Sequence, residues 1–258
     1  MSAPTTTPVR IEDLGGVRII TIDRPEVRNA IDTATATAIA AAIDELERRD
    51  DLVAGVLTGA GGTFCAGMDL KAFLAGERPS VPGRGFAGIV EQPPAKPMIA
   101  AVEGAAVAGG FEIALACDLI VAASDAKFGL PEVRRGLVAA GGGLLRLPRR
   151  VPRQLATEWA LTGAIVPASR AHEVHLVNRL TDPGGALDAA LELAGAIARN
   201  GPLAVRATKA VLTRADDWSS AEAFERQREI TEPVRSSEDA REGAAAFREK
   251  RDPVWRNR

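Results

Sequence analysis

Val17-Arg-Ile-Ile-Thr-Ile-Asp23 is rich in β-branched apolar residues and stops at Arg24-Pro25, which predicts a strand. Asp32 then stands before a stretch with Ile39, Ile43 and Leu46 at helical spacing, predicting a capped helix to about Arg49. Leu52–Thr58 and Met98–Val102 read as short buried strands. Ala105–Cys117 turns into a helix, and Asp118–Ser124 returns as a strand. Strand, turn and helix therefore alternate to about residue 145, which predicts an α/β fold with at least partly parallel strands.

The segment between Gly76 and Pro97 breaks this rhythm. It is rich in Gly and Pro and reads as a mobile lid or a plain surface loop. From Gln154 onward the pattern is helical. Pro202 suits the first turn of one helix, Ser219-Ser-Ala-Glu222 reads as a capping box for the next, and Ser236-Ser-Glu-Asp239 starts the last. The division expected is a core over residues 1–199 and a helical module over 200–258, of the kind that serves docking or oligomerisation. The polar stretch Met1–Pro8 lacks an apolar targeting core and reads as a frayed tail.

At 258 residues and 46% apolar, the chain can bury a substantial core. A formal charge of −2 gives no electrostatic reason to expect nucleic acid as a partner. No apolar stretch is long enough to span a bilayer, so no membrane role is expected and the cytoplasm is the default. Cys65 and Cys117 lie inside apolar motifs without disulfide spacing and read as reduced, buried thiols. His172 and His175 lack partners at metal-ligand spacing, so no metal is expected.

The chemistry concentrates in two glutamates, Glu112 after Gly109-Gly110 and Glu132 after Gly129-Leu-Pro. A carboxylate pair beside uncovered backbone is what acid/base work on a carbonyl compound needs. The N–H groups at Gly109-Gly110 open a helix and can hold an anion, with Gly67-Met68 supplying a second donor. The alternatives stay open here: the glycines could serve helix–strand packing alone, Glu112 could be an ordinary first-turn residue, and Glu132 could pair with Arg134 or Arg135. Gly59-Ala-Gly-Gly and Gly141-Gly142-Gly143 complete no nucleotide-binding loop.

Four strings carry a further signal: Arg24-Pro-Glu-Val-Arg-Asn-Ala30, Phe64-Cys-Ala-Gly-Met-Asp-Leu70, Ala106–Asp118 and Phe128-Gly-Leu-Pro-Glu-Val133. In this order and spacing they resemble the signatures of the crotonase (enoyl-CoA hydratase/isomerase) family, over residues 9 to 255. The resemblance implies a crotonase-like spiral of repeated ββα units with a C-terminal helical module, assembled as a homotrimer or homohexamer. It implies an acyl-CoA thioester as substrate, with coenzyme A part of that substrate and no separate cofactor. Carried over by position, Met68 and Gly109 form the oxyanion hole, and Glu112 and Glu132 are catalytic. Val27, Arg28 and Ala30 match the early CoA turn, Ala66 and Asp69 the adenine-lining segment, and Phe247 and Lys250 C-terminal positions that often come from a neighbouring subunit. Arg28 and Lys250 could equally be solvated surface charges.

Both acidic positions being glutamate favours an enoyl-CoA hydratase, a lyase of fatty-acid β-oxidation. The alternatives within the family are a Δ3-Δ2 enoyl-CoA isomerase and a carnitinyl-CoA-type dehydratase, which the stretch Val138–Pro148 partly resembles. A non-catalytic acyl-CoA-binding protein is the alternative outside enzymes. Ala108 departs from the hydratase pattern, standing where many hydratases carry a glycine.

Overall fold

The computed structural model describes residues 7–258, so most of the Met1–Pro8 tail lies outside the described residues. The chain opens with a hairpin, β1 (Val9–Leu14) and β2 (Val17–Ile22), and passes through a 3-10 turn at Pro25–Val27 into α1 (Thr33–Arg48). Asp32 caps α1 as expected, its Oδ1 accepting the Thr35 N–H at 2.8 Å. Next come β3 (Ala54–Gly59), α2 (Leu70–Leu74), a small hairpin β4 (Ser80–Val81) and β5 (Gly85–Phe86), then β6 (Met98–Val102), β7 (Ala105–Val107) and α3 (Gly109–Ala116). β8 (Leu119–Ala123) and β9 (Lys127–Gly129) precede a 3-10 turn at Pro131–Arg135. α4 (Gly143–Arg150), α5 (Arg153–Thr162), β10 (Val166–Pro167), α6 (Ala168–Glu173), β11 (Arg179–Thr181) and α7 (Ala186–Ala198) follow. Three further helices end the chain: α8 (Pro202–Arg214), α9 (Ala223–Arg235) and α10 (Glu238–Glu249).

The main sheet has the order β1-β2-β3-β6-β8-β11, with β1 antiparallel and every later neighbour parallel. A second column of strands stands beside it. It runs from the Ile31–Met68 bridge through the Cys65–Ala106 bridge to the parallel β7–β9 pair and then β10. Each turn of the chain thus lays one strand in the sheet, one extended segment in the column, and then a helix. The C-terminal ends of successive column segments come side by side, and these ends carry the motif residues.

Side-chain alternation sorts the sheet's two faces. Ala54, Val56, Ile99, Ala101 and Val121 turn to the Ala186, Ala190 and Ala194 stripe of α7. Leu57, Met98, Ala100, Val102 and Ile120 face the larger core with α1 and the column. Burial of this kind contributes about 25 cal/mol per Å² of apolar surface, which is why a helix as small-sided as α7 can close one face.

Several expectations are corrected. Residues 76–97 are neither lid nor plain loop: Ala87, Ile89 and Val90 are core residues, and Arg84 pairs with Asp44 on α1. The region after Gln154 is not purely helical, because β10 and β11 extend the two strand systems by two and three residues. The Ser219–Glu222 box forms as a turn, with Ser219 Oγ donating to Glu222 at 2.9 Å, and α9 starts only at Ala223. The cap of α10 is Ser237, which accepts the Ala240 N–H at 3.0 Å, rather than Ser236.

Candidate active site

The column brings the two expected donors together. The extended segment after β3 and the end of β7 are neighbours through the Cys65–Ala106 bridge, and Met68 and Gly109 each lie three residues past it. A Cβ on Gly67 would sit 3.0 Å from the Gly109 nitrogen. Gly110 packs so tightly on the Cys65 carbonyl that no side chain fits there. Gly109 begins α3, so its N–H has no intrahelical partner. Among the described residues, neither the Met68 nor the Gly109 N–H donates to a protein acceptor. Two uncovered donors therefore stand on neighbouring segments of the column.

The strands that supply these donors are stitched to the early turn. Ala66 N–H donates to Arg28 O at 3.0 Å, Ile31 N–H to Gly67 O at 2.8 Å, and Asp69 N–H to Ile31 O at 2.9 Å. Val27, Arg28, Ala30, Ala66 and Asp69 are therefore one contiguous patch beside Met68. The Asp69 side chain is committed within it: Oδ1 caps α2 and Oδ2 takes a hydrogen bond from Arg24. Burial works against the ionised Asp69, yet the α2 N–H groups and Arg24 hold its carboxyl below the usual range. Arg24 also pairs with Asp32, and buried Asn29 donates to the Ala60 and Thr63 carbonyls. These two motif residues knit the turn, whereas Arg28 projects from it, exposed, at a φ of +55°.

Glu112 lies in the first turn of α3 and is 4% exposed. Its carboxylate meets the start of α4, where Gly143 N–H donates to Oε1 at 2.9 Å. The partial positive end of α4 and this N–H accommodate the charge that burial disfavours. Burial nevertheless pushes the Glu112 carboxyl above the ordinary glutamate value, and the charge of Glu132 adds to the rise. Glu132 sits in the 3-10 turn after β9, half-buried, and burial raises it as well. Its Oε2 is buried without any hydrogen-bond partner. Among the described residues Glu132 forms no ion pair, and Arg134 donates instead to Thr162 O. Neither Arg134 nor Arg135 forms an ion pair with it, and a buried acceptor is left without a partner, which carries a cost unless a ligand or water meets it.

Some participants were not singled out from the sequence. Gly141 and Gly143 seat Glu112: a Cβ on Gly141 would lie 2.6 Å from its Oε2. The glycine run read as a failed nucleotide loop, and its position just before a helix was the available signal. Phe86 is another, since a Cβ on Gly109 would lie 2.5 Å from its ring. Conversely, Phe247 is 88% exposed and Lys250 ends α10 at a φ of +55°. No hydrogen bond or ion pair among the described residues joins either to the site. Cys65 and Cys117 are free and buried, and burial pushes both thiols up to about 12, which leaves neither as a nucleophile. No cluster of metal-ligating side chains occurs among the described residues, and no helix there is long and apolar enough to cross a membrane.

Comparison with known proteins places the chain in a family. A family model for enoyl-CoA hydratase/isomerase matches residues 12–258. The enoyl-CoA hydratase EchA19 of Mycobacterium tuberculosis is 41% identical over 259 residues, covering 96% of each chain. A carnitinyl-CoA dehydratase of Salmonella arizonae is 43% identical, covering 96% of this chain and 98% of that protein. The crystal structure of an enoyl-CoA hydratase from Mycobacterium tuberculosis H37Rv superposes with a TM-score of 0.97 at 55% identity, over 98% of this chain and all (100%) of that one. With the spiral of ββα turns, the paired donors and this similarity along nearly its whole length, the chain belongs to the enoyl-CoA hydratase/isomerase family.

Proposed function

We propose that the protein is an enoyl-CoA hydratase, adding water reversibly across the 2,3 double bond of a 2-enoyl-CoA thioester. The observation that carries this reading is the acid pair, one carboxylate buried and seated on Gly143 and the other half-buried with an unpartnered oxygen, beside two uncovered N–H groups. The thioester oxygen would rest on Met68 and Gly109, where each well-placed donor stabilises enolate-like charge by about 3–4 kcal/mol. Glu112 takes the proton of the water that adds at Cβ, and Glu132 delivers a proton to Cα. In the dehydration direction the two exchange tasks. Two neighbouring carboxyls drawn out of water do not both ionise cheaply, so one proton shared between them suits this division, and activity titrates with the pKa values of the pair.

The pantetheine and nucleotide would follow the patch Val27–Ala30, Ala66 and Asp69, with Arg28 positioned for phosphate. Phe247 and Lys250 complete the CoA pocket in this reading, supplied by a neighbouring copy in a homotrimer or homohexamer. Coenzyme A arrives with the substrate, and no separate cofactor enters the chemistry. The cytoplasm and fatty-acid β-oxidation are the setting this substrate class suggests.

Crotonyl-CoA hydration by wild type, Glu112→Gln and Glu132→Gln tests the reading. Each substitution is expected to lower kcat by about 10²–10⁴-fold. Near-wild-type hydration in both variants rules the two-carboxylate mechanism out. A carnitinyl-CoA dehydratase is the second reading, favoured by the 43% identical relative. It is preferred if carnitinyl-CoA is dehydrated with a higher kcat/KM than 3-hydroxybutyryl-CoA. Shifting of a Δ3 double bond that survives Glu112→Gln but not Glu132→Gln would instead mark an isomerase.

A further inference from the structure

Arg146, on α4, is tied to both halves of the site without belonging to either. Its Nη2 donates to the Val90 carbonyl at 2.5 Å. Its Nη1 lies where a Cβ on Gly142 would stand, and Gly142 holds a φ of +90°, the backbone region that favours glycine. Gly142 is the middle of the turn whose neighbours Gly141 and Gly143 seat the Glu112 carboxylate. Val90 closes the short turn that begins at Phe86, its N–H donating to Phe86 O at 3.4 Å, and the Phe86 ring lies on Gly109. One guanidinium therefore touches the seat of the acid/base residue and the support of the oxyanion donor.

The charged and titratable groups facing Arg146 are few. Among the surrounding groups, Glu112 on α3 and Cys117 just past it favour the Arg146 charge, and Arg149 and Arg150 on its own helix oppose it. Arg150 is engaged with the Cys117 carbonyl at 2.6 Å, and Arg149 with Asp217 at 3.4 Å. On the hairpin segment, Arg84 pairs with Asp44 and the Glu91 carboxyl lies against Gly85. The charged residues of α5, Arg153 and Glu158, are exposed to solvent. Glu112 is thus the carboxylate on which the Arg146 charge acts.

We infer that Arg146 is a positioning residue of the acid/base site, pinning the glycine turn that seats Glu112 to the segment that carries Phe86 onto Gly109, and presenting its charge to the Glu112 carboxylate. Glu112 must be ionised to take a proton from water. A nearby cation favours the ionised form, so removing it lets the carboxyl hold its proton to higher pH. The acid limb of the pH profile then moves upward.

The test is kcat and KM for crotonyl-CoA hydration across the pH range in wild type, Arg146→Met, Arg146→Gln, Arg146→Lys and Arg149→Met. Loss of the pin is expected to lower kcat of Arg146→Met by up to about a hundredfold, with KM changed far less. Its acid limb should move to higher pH. Arg146→Gln removes the charge but keeps a polar amide in place of an apolar side chain, so it supplies the charge test even where the methionine variant does not fold, and it should show the same displacement. Arg146→Lys should bring the limb back, and Arg149→Met should match wild type. An acid limb that stays in place in the glutamine variant, or one that moves equally in Arg149→Met, overturns the inference. It rests on the hydratase reading: no hydration by wild type defeats both, whereas hydration dependent on Glu112 but indifferent to Arg146 defeats the inference alone.

Discussion

The Glu112 carboxylate accepts a hydrogen bond at 2.9 Å from the backbone N–H of Gly143, a residue 31 positions further along the chain. Everything proposed for the acid/base chemistry depends on that seat, because it fixes where the carboxylate points while the protein around it disfavours its charge. The seat is built of backbone and glycine, so adding a single methyl group should damage it.

Gly141→Ala supplies that methyl group. Its Cβ would fall 2.6 Å from Glu112 Oε2, closer than any real contact, so the carboxylate must move. A displacement of about 1 Å can cost about 10²-fold in rate. The expected result is a fall in kcat of that order with unchanged KM and a normal circular dichroism spectrum. Retention of full kcat would show that the Glu112 orientation is not limiting.

Burial of Glu112 leaves a signature in stability. Its pKa is raised from 4.5, so the folded chain holds this proton more tightly than the unfolded chain does. Below 4.5 both states are protonated and the effect vanishes. As the pH climbs through the raised value, ionisation costs about 1.4 kcal/mol for each unit of elevation. Glu112→Gln, which cannot ionise, should therefore melt above wild type at neutral and alkaline pH, with the gap closing under acid conditions. Calorimetric Tm against pH reads this directly, and a gap independent of pH would contradict the assignment.

Ala108 holds φ +51° and ψ −130°, a conformation that costs a residue with a Cβ about 1–3 kcal/mol. Ala108→Gly removes the strain but gives the unfolded chain more freedom, a loss of about 0.5–1 kcal/mol. The strain is the larger quantity, so urea unfolding should show a net gain of about 1 kcal/mol in the variant. A lower midpoint would mean that the turn is not strained in solution.

The C-terminal residues hold α10 through a buried acid. Asp239 is 4% exposed and accepts the Arg256 and Asn257 N–H groups at 2.7 and 3.0 Å, while Trp255 Nε1 donates to Arg199 O at 2.8 Å. Ending the chain at Pro253 would strip these donors from the Asp239 carboxylate and remove the Trp255 anchor, at a cost of about 1–3 kcal/mol. Adding Asp239→Asn to the shortened chain should recover part of that loss. Equal stability of the full and shortened chains would exclude the clamp.

The sequence carried much of the local physics of this protein, although it misplaced the caps of α9 and α10. The β-branched run at Val17–Ile22, the Asp32 cap, the apolar spacing of Ile39, Ile43 and Leu46, and the alternation up to α3 each depend on residues within a turn or two of one another. The motif strings around Met68, Gly109, Glu112 and Glu132 are equally local, which is why these residues stand out as candidates in the sequence itself. β10 and β11 escaped because two or three residues display no alternation, and pairing with β9 and β8 is what makes them strands.

Tertiary structure alone decided which groups meet. Gly141–Gly143 had no visible purpose until the spiral set α4 against α3, and residues 76–97 looked loose until Val90 met Arg146 and Phe86 met Gly109. It also separated Glu132 from Arg134, which finds Thr162 O instead, and so left a buried, unpartnered carboxyl oxygen where an ion pair was possible. The physical reason is common to all of these: hydrogen bonds and burial act between neighbours in space, and chain order specifies such neighbours only within one element.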